Sequence, residues 1–327
     1  MRVTFGEMEG QFQRVLLGLG FSDPKAAHCA KIFAQNSLDG VYSHGLNRFP
    51  AFVRSVRDGL VDMRAEPEVV RTGGMVEYWD GRQGPGMYVA SLAMARAIAL
   101  AGRGGMGAVS VRNTNHWMRG GTYGWQAAEA NCIGICATNT IANMPAWGSA
   151  EPRLGNNPLV IAVPREKGAV VLDMAMSQFS YGKLQEYEWE GKELPVPGGY
   201  DDQGALTTNP GAIKASRRTL PIGYWKGAGL SLVLDLLTAG LSGGESVGAI
   251  TRSGKEYRLS QFFLCIDATY LDSTVTEGII DYTRSGNPLQ EGTAVSYPGE
   301  RTLATRLRNQ RDGIPVNEKA WATLLEL

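Results

Sequence analysis

The sequence predicts an α/β fold, with a layered mixed-sheet domain preceded by a helical N-terminal subdomain. The first seventy residues have the apolar spacing of helices, and from about residue 67 short β-rich runs alternate with helical runs. Some of the β-rich runs follow one another directly, with no helix between them. We therefore expect antiparallel strand pairs within the sheet.

The N-terminal helices have a clear start signal. In DPKAAHCAKIF, Asp23 is an N-cap residue and Pro24 stands at the first helical position, where its missing N–H costs nothing. An apolar face follows, made of Ala27, Cys29, Ile32 and Phe33. These features predict a helical subdomain over residues 1–66.

The middle of the chain alternates between strand and helix. Five runs have strand character, namely VEYWDG, AVSVRN, CIGICATN, LVIAVP and AVVLDMAM. Two runs have helical spacing, namely MYVASLAMARAIALA and TYGWQAAEAN. This alternation predicts a mixed-sheet α/β domain over residues 67–260.

The last third of the chain begins with a stretch rich in glycine, proline and aspartate, VPGGYDDQGALTTNPGAI, which predicts a long loop over residues 196–213. A long apolar helix over 227–241 and a strand, QFFLCIDATY, are expected next. Two helices are predicted around 302–309 and 318–325. Residues 261–327 should therefore pack back on the body as a C-terminal strand and helices.

Charge and hydropathy exclude several classes of protein. Lys+Arg and Asp+Glu both number 32, and no basic stripe with interleaved aromatics is present, so nucleic acid is not an expected partner. The most apolar segment, residues 228–241, is too short to span a membrane and contains Asp235. The first residues lack a cationic lead into an apolar run. We expect a cytoplasmic protein with no membrane partner.

The four cysteines have no metal-binding spacing. Cys132 and Cys136 fall in one predicted strand, where they would lie about 13 Å apart at about 3.3 Å per residue. A disulfide requires Cα atoms within about 7 Å. We expect core thiols in a reducing compartment, and no metal site.

Residues 102–107 read GRGGMG, the letters of a dinucleotide-binding turn. In that motif a strand precedes the glycines and a helix follows, so that the helix N-terminus faces the pyrophosphate. Here the predicted helix comes first and the strand second, and a helix C-terminus has the wrong sign for phosphate. The glycines are therefore interpreted as a helix C-cap.

Two of the three histidines stand among other polar residues. His44 lies in VYSHGLNRFP, four residues before Arg48, and on a helix both side chains would leave the same face. Pro50 leaves that geometry open, because it breaks a helix that begins before about Asn47. An imidazole beside a guanidinium suits a 2-keto or 2-hydroxy acid, since arginine binds the carboxylate and histidine exchanges the proton. A helix-start histidine with a surface arginine is the alternative.

His116 follows a predicted strand directly, where α/β folds place ligand-binding loops. Four other polar residues are close to it in the sequence NTNHWMRGGTYGW, namely Asn113, Asn115, Arg119 and Tyr123. Farther along, Lys226 stands beside glycines at the start of the apolar helix, where phosphate could bind or where glycine could serve packing alone.

These motifs occur in the order found in the malate/L-lactate dehydrogenase family, which the chain resembles over essentially its whole length. The motifs are VYSHGLNRFP, NTNHWMRGGTYGWQ, GNNP, VLDMAMS, PIGYWKGAGLSLVLD and YPGE. Within the family, NHWMRGG and FSYG resemble a branch that reduces sugar-derived 2-keto acids. The resemblance implies the L-sulfolactate dehydrogenase-like α/β fold, which binds NADH or NADPH without a glycine fingerprint, and a homodimer with the active site near the subunit contact.

The resemblance also implies roles for particular residues. His44 would be the proton donor, Arg48 a ligand of the substrate carboxylate, and His116 a second active-site histidine. Cofactor contacts would fall on Thr140, Leu172, Asp173, Met174, Ala175, Met176, Ser177, Trp225, Lys226, Gly299, Glu300 and Arg301. Residues 67–260 would then be the cofactor-binding domain. The tryptophan and methionine after His116 depart from the wider family pattern, which bears on the shape of the substrate.

The function implied is NAD(P)H-dependent reduction of the carbonyl next to the carboxylate of a sugar-derived 2-keto acid. Oxidation of malate, lactate or ureidoglycolate by the same residues in reverse is the first alternative. A catalytically silent binding protein on the same fold is the second. A metal-dependent lyase that uses the histidines with Asp201 and Asp202 is a weaker third.

Overall fold

A computed structural model describes residues 1–290 and 292–327. The helices are α1 Phe5–Gly18, α2 Asp23–Leu38, α3 Phe49–Arg57, α4 Gly86–Gly104, α5 Gly121–Glu129, α6 Tyr181–Trp189, α7 Pro210–Ser216, α8 Trp225–Asp235, α9 Val247–Ser253, α10 Ser273–Arg284, α11 Glu300–Asp312 and α12 Glu318–Glu326. The strands are β1 Arg2–Val3, β2 Glu68–Gly73, β3 Val76–Asp80, β4 Met106–Thr114, β5 Cys132–Thr138, β6 Ala142–Pro145, β7 Pro152–Gly155, β8 Leu159–Val163, β9 Val170–Met174, β10 Gly199–Tyr200, β11 Leu206–Thr207, β12 Leu259–Asp267 and β13 Ile314–Pro315.

A seven-stranded mixed sheet forms the centre, in the order β2-β3-β4-β12-β5-β8-β9. Strands β3 and β4 are parallel and the other neighbours are antiparallel. The expected antiparallel pairing of successive strands is confirmed for β2–β3 and β8–β9. Strand β12, from late in the chain, lies between β4 and β5. The boundaries at residues 66 and 260 remain a prediction.

Helices α4 and α5 cover one face of the sheet. Their apolar side chains share a core with Cys136 of β5 and with Phe263 and Cys265 of β12. Successive strand residues point to opposite faces, and Ala137, the residue after Cys136, packs with Ala228 and Leu234 of α8. Helix α8 therefore covers the other face, and the layered architecture predicted from the sequence is confirmed.

The N-terminal subdomain has its own aromatic core. Phe33 lies between Phe12 and Phe49, with ring centroids 5.6 and 4.9 Å away. Trp321 and Leu324 of α12 belong to the same cluster, and β1 pairs with β13. The expected helices are present, and the two chain ends are held together on this subdomain.

The GRGGMG segment ends one helix and begins one strand, as predicted. Helix α4 ends at Gly104, Gly105 adopts the left-handed conformation with φ of 79°, and β4 begins at Met106. The N–H of Gly105 donates to the carbonyl of Ala101 at 2.7 Å, which closes the last turn. This segment is not part of the cavity described below.

We expect Gly105→Ala to lower the free energy of unfolding by about 1 kcal/mol, because an L-residue is strained at positive φ. A Cβ at this position would meet no atom within 4 Å, so the effect is one of backbone conformation. Gly102→Ala is the matched control, since Gly102 lies inside α4 with equally open space. Alanine there should stabilise by about 0.5–1 kcal/mol. Urea unfolding measures both, and an equal effect of the two substitutions would contradict the C-cap assignment.

Several elements differ from expectation. The predicted loop over 196–213 contains the β10–β11 hairpin and the first turn of α7. The apolar helix begins at Trp225, and after Asp235 it continues as a π-helical turn over Leu236–Gly240. Helices α6, α7, α9 and α10 were not predicted. Residues 178–220, which include α6 and α7, form an excursion that we call the insert; its ends meet where Ser177 pairs with Pro221.

The four cysteines are buried free thiols, and Cys132 and Cys136 both lie on β5, as predicted for these two. Nowhere in residues 1–290 and 292–327 does a helix have the length and apolar composition needed to cross a membrane.

Candidate active site

One cavity of about 690 Å³ is lined by the N-terminal subdomain, the sheet and the insert. It lies in the size range of ligand pockets. Eight of the residues predicted as site residues line it, namely His44, Arg48, His116, Thr140, Leu172, Asp173, Ala175 and Gly299. The structure thus brings the predicted catalytic residues and part of the predicted cofactor segment into one space.

His44 ends a 3₁₀ turn, Tyr42–His44, rather than lying on a helix with Arg48. Arg48 is the residue before α3, whose first turn contains Pro50, so the helical arrangement that the sequence left open does not occur. The turn is held from behind by α2, because Asn36 Nδ2 donates to the His44 carbonyl at 2.9 Å. Both side chains nevertheless reach the cavity.

His116 lies in a loop that is anchored on both sides. Trp117 packs in the core of the sheet, and Met118 packs in the core of the N-terminal subdomain. The N–H of Met118 donates to His116 Nδ1 at 3.0 Å. Neutral His116 therefore has its proton on Nε2, so this nitrogen is a hydrogen-bond donor. At Gly86, a Cβ would lie 2.0 Å from the Asn115 carbonyl oxygen, so only glycine lets α4 start against this loop.

The two histidine rings are stacked, with centroids 5.9 Å apart and planes 20° apart. Burial and the positive charges of Arg48 and Arg119 lower the pKa of His44 to about 4. Burial, Arg48 and His44 hold the pKa of His116 well below its usual value. Both rings are therefore neutral at neutral pH, in a cavity whose field favours an anion.

The low pKa of His44 predicts that stability falls on acidification. The unfolded chain binds a proton at His44 below about pH 6.5 and the folded chain does so only below about pH 4, so the stability present above pH 6.5 is lost across this window. At 1.36 kcal/mol per pKa unit the loss reaches about 3 kcal/mol. Urea unfolding at several pH values should show this slope, and a shallower one for His44→Gln. Equal slopes in the two proteins would contradict the assignment.

A buried ion network supports the cavity wall. Arg119 pairs with Asp39, and Arg306 of α11 reaches the same carboxylate, with Nε 2.7 Å from Oδ1. Burial alone would raise the pKa of Asp39, but the hydrogen bonds and charges of Arg306 and Arg119 outweigh it and hold this pKa below its usual value. Asp173 lies 3.6 Å from Arg119 Nε and accepts the N–H of Gly121 at 2.8 Å. The network joins α2, the His116 loop, β9 and α11.

The predicted cofactor residues that line the cavity suit a dinucleotide. Gly299 has φ of 95° and precedes α11, so the free N–H groups at the start of this 13-residue helix lie beside the cavity. A Cβ at Gly299 would lie 3.0 Å from the backbone nitrogen of Val171, so glycine permits this approach to β9. Thr140 Oγ1 donates to Asn156 Oδ1 at 3.0 Å. These residues fit a nicotinamide cofactor.

Other predicted cofactor residues do not line the cavity. Trp225 is 60% exposed, and Met176 is fully buried in the core under α8. The seven residues in this group are Met174, Met176, Ser177, Trp225, Lys226, Glu300 and Arg301. Their roles remain predictions.

Several polar residues were grouped with His116 from the sequence, and the structure gives them two different positions: some support the His116 loop and one lines the cavity. Asn113 and Asn115 bind neighbouring polar groups, and Tyr123 Oη donates to the Trp117 carbonyl at 2.6 Å, so these three support the loop. Arg119 lines the cavity. Lining residues that were missed include Asn143, Tyr181, Arg217 and Glu256. The FSYG motif pointed toward Tyr181, but no local pattern marked the others.

Paired imidazoles and a guanidinium in a cavity beside a glycine-led helix start can bind the carboxylate of a 2-hydroxy or 2-keto acid and exchange a proton with its neighbouring oxygen. The family model described as malate/L-lactate dehydrogenase matches residues 3–325, and the chain belongs to this family. It is 45% identical to the 2,3-diketo-L-gulonate reductase of Citrobacter koseri over 333 aligned residues, covering 100% of both chains.

Solved structures agree with the assignment. The malate dehydrogenase of Entamoeba histolytica matches with a TM-score of 0.93 and 25% identity, covering 100% of this chain and 96% of the other. The sulfolactate dehydrogenase of Methanocaldococcus jannaschii matches with a TM-score of 0.90 and 27% identity, with the same coverage. The fold predicted from the resemblance is confirmed, and a nicotinamide cofactor follows from the family.

Proposed function

We propose that the protein reduces 2,3-diketo-L-gulonate at C2, giving 3-dehydro-L-gulonate, with NADH as the cofactor and NADPH as the alternative. The observation that carries this proposal is the 45% identity, over the full length of both chains, to a reductase named for that substrate. The anion-favouring cavity with His44, Arg48 and His116 supports it.

Thr140, the cavity-facing part of β9 and the start of α11 would hold the cofactor. When bound, the nicotinamide supplies a hydride to the carbonyl carbon next to the carboxylate. The chain's part is to bind the acid, orient its carbonyl and provide the proton for the oxygen.

His44 is the proposed proton donor. Ser43 Oγ lies 3.0 Å from His44 Nδ1, which leaves Nε2 as the ring nitrogen for the substrate. An incoming carboxylate offsets the positive charges that lower the pKa of His44, so substrate binding raises this pKa and favours proton uptake. The imidazolium can then protonate the oxygen as negative charge develops there.

Arg48 is the proposed ligand of the carboxylate. Its side chain is 40% exposed, and its Nη2 is 3.9 Å from Glu256 Oε2, a distance that leaves the guanidinium available to an anion. Arg48→Gln should mainly raise KM, because the carboxylate persists from the bound substrate to the transition state. Steady-state kinetics separates this from a fall in kcat, which would give Arg48 a role in the chemical step.

A homodimer is part of the proposal. Helix α8 and the π-helical turn expose large apolar side chains that a second copy could cover, with Leu232 51%, Val233 55% and Leu236 65% exposed. The four unbridged cysteines support a reducing, cytoplasmic compartment. Light scattering of the purified protein would give its mass.

The test is a panel of 2-keto acids with NADH and NADPH. We expect 2,3-diketo-L-gulonate to have the highest kcat/KM, in a reaction insensitive to chelators. Higher kcat/KM in the oxidation of malate, lactate or ureidoglycolate would favour the dehydrogenase alternative. Neither quenching nor oxidation of NADH with any acid of the panel would favour a silent binding protein.

A further inference from the structure

The insert brings two of its segments to the active-site cavity. Ser180, Tyr181 and Gly182 line it at the start of α6, and Arg217 lines it just after α7. Between these segments the insert has a small core of its own, made of Leu184, Leu194 and Ile213. Backbone hydrogen bonds hold the neck, with Gln178 N donating to the Leu220 carbonyl at 2.7 Å. The insert is thus a separate wall of the cavity.

The segment that carries Tyr181 packs against the turn that ends at His44. The start of α6 approaches the His44 turn so closely that a Cβ on Gly182 would lie 2.8 Å from Ser43 Cβ. The Tyr181 hydroxyl is buried and finds no hydrogen-bond partner within residues 1–290 and 292–327. A buried hydroxyl left without a partner is costly, and a bound ligand can supply one.

Arg217 has similarly unmet hydrogen-bonding capacity. Among the residues that the structure describes, its side chain donates one hydrogen bond, from Nη2 to the Ala142 carbonyl at 3.3 Å. Its φ is 56° because Arg217 is the left-handed C-cap residue of α7. Arg217 and Tyr181 line the same cavity, and the positive charge of Arg217 acts against the burial that raises the pKa of Tyr181.

A third group is an acceptor, and it lies on β6, where the Asn143 backbone carbonyl accepts the N–H of Thr219 of the insert at 3.2 Å. Asn143 Oδ1 is buried and has no partner in the described part of the chain, while its Nδ2 donates to Asn156 Oδ1 at 3.2 Å. This side of the cavity therefore offers a donor at Arg217, an acceptor at Asn143, and both at Tyr181. A carboxylate or phosphate only accepts hydrogen bonds, whereas a hydroxyl group donates and accepts. The mixed set suits a polyhydroxylated ligand.

We infer that Tyr181 and Arg217 recognise the hydroxylated tail of the substrate, beyond the two carbonyl groups, and so determine specificity for sugar-derived acids. This inference rests on the proposed function. His44 and Arg48 line the same cavity as Tyr181 and Arg217, so an acid whose carboxylate binds Arg48 can extend its tail toward the insert wall. A short 2-keto acid would leave both groups unpaired.

The experiment compares Tyr181→Phe and Arg217→Gln with the wild type. Tyr187→Phe is the control, because Tyr187 lies on the same helix, packs against the insert core and does not line the cavity. Three quantities are measured: kcat/KM for 2,3-diketo-L-gulonate, the inhibition constant of oxamate, which has the carboxylate and carbonyl without a tail, and the dissociation constant of NADH from fluorescence.

We expect kcat/KM to fall about tenfold for Tyr181→Phe, which loses a hydrogen bond from a neutral group. It should fall about tenfold to a hundredfold for Arg217→Gln, which loses a hydrogen bond from a charged group. Oxamate inhibition and NADH binding should change less than about twofold, as should all three quantities in Tyr187→Phe. Thermal unfolding confirms that the variants are folded.

Other outcomes overturn the inference. Weaker NADH binding would assign the pair to the cofactor, and weaker oxamate binding would assign it to the reacting end of the acid. Unchanged kcat/KM would remove any role in recognition. Failure of the proposed function is distinguishable, because the wild type itself would then not oxidise NADH with 2,3-diketo-L-gulonate, and the inference would fail with it.

Discussion

His44→Ala is expected to lower kcat at least about a hundredfold while leaving the fold and NADH binding nearly intact. A positioned general acid contributes typically 10²–10⁴ in rate, and alanine removes the proposed proton donor. The ring is half-buried and lines the cavity, so its removal enlarges the cavity without exposing the core. Steady-state kinetics and NADH fluorescence measure the two effects separately.

His28→Ala is the control, because His28 lies on α2 outside the active-site cavity and its ring packs against Tyr88 at 5.3 Å. Its kcat should stay within about twofold of the wild type. Retained turnover in His44→Ala would transfer the acid role to His116, whose Nε2 carries the proton in the neutral ring.

Asp39→Asn is expected to lower the free energy of unfolding by about 3–5 kcal/mol, the usual cost of removing one partner from a buried ion pair. The Asp39 side chain is 1% exposed, and it is shared by Arg119 at 5% and Arg306 at 14%. Asparagine keeps the size but not the charge, so two largely buried guanidinium groups lose their shared anion. Urea unfolding of the purified variant measures the loss.

Glu151→Gln provides the comparison for an exposed pair. Glu151 contacts Arg153, and both side chains are more than 60% exposed. An exposed pair contributes about 0–1 kcal/mol, so this variant should be close to the wild type. If Asp39→Asn lost as little stability as Glu151→Gln, the buried network would contribute little to stability, and α11 would be held by its other contacts.

Elements with strong local signals could be predicted from the sequence. Helix α2 begins at Asp23 with Pro24 in its first turn, although its N-cap is Ser22 and not the predicted Asp23. Helix α4 stops where Gly105 takes positive φ, because a left-handed glycine depends on neighbouring residues alone.

Helix α10 was missed although Val275, Ile279 and Tyr282 have helical spacing and Asp272 caps its start. Its apolar face is largely exposed, since only Ile280 of its twelve residues is buried.

The site was only partly predictable. His44, Arg48 and His116 were selected from their chemistry and from family resemblance, and their approach to one another was not readable from spacing. The two rings stack because the Tyr42–His44 turn is held against α2 while Trp117 and Met118 anchor the other loop in two different cores. Those contacts join segments about seventy residues apart in the chain.

Local chemistry was sufficient for the helix caps, the glycine turn, the strand and helix runs and the family motifs, because each depends on residues close together in the chain. The folded chain was needed to place β12 inside the sheet, to gather Arg119 and Arg306 around Asp39, and to bring Tyr181 and Arg217 to the cavity. These arrangements depend on burial and charge pairing between distant segments. A one-dimensional pattern carries no record of which distant residues share a buried space.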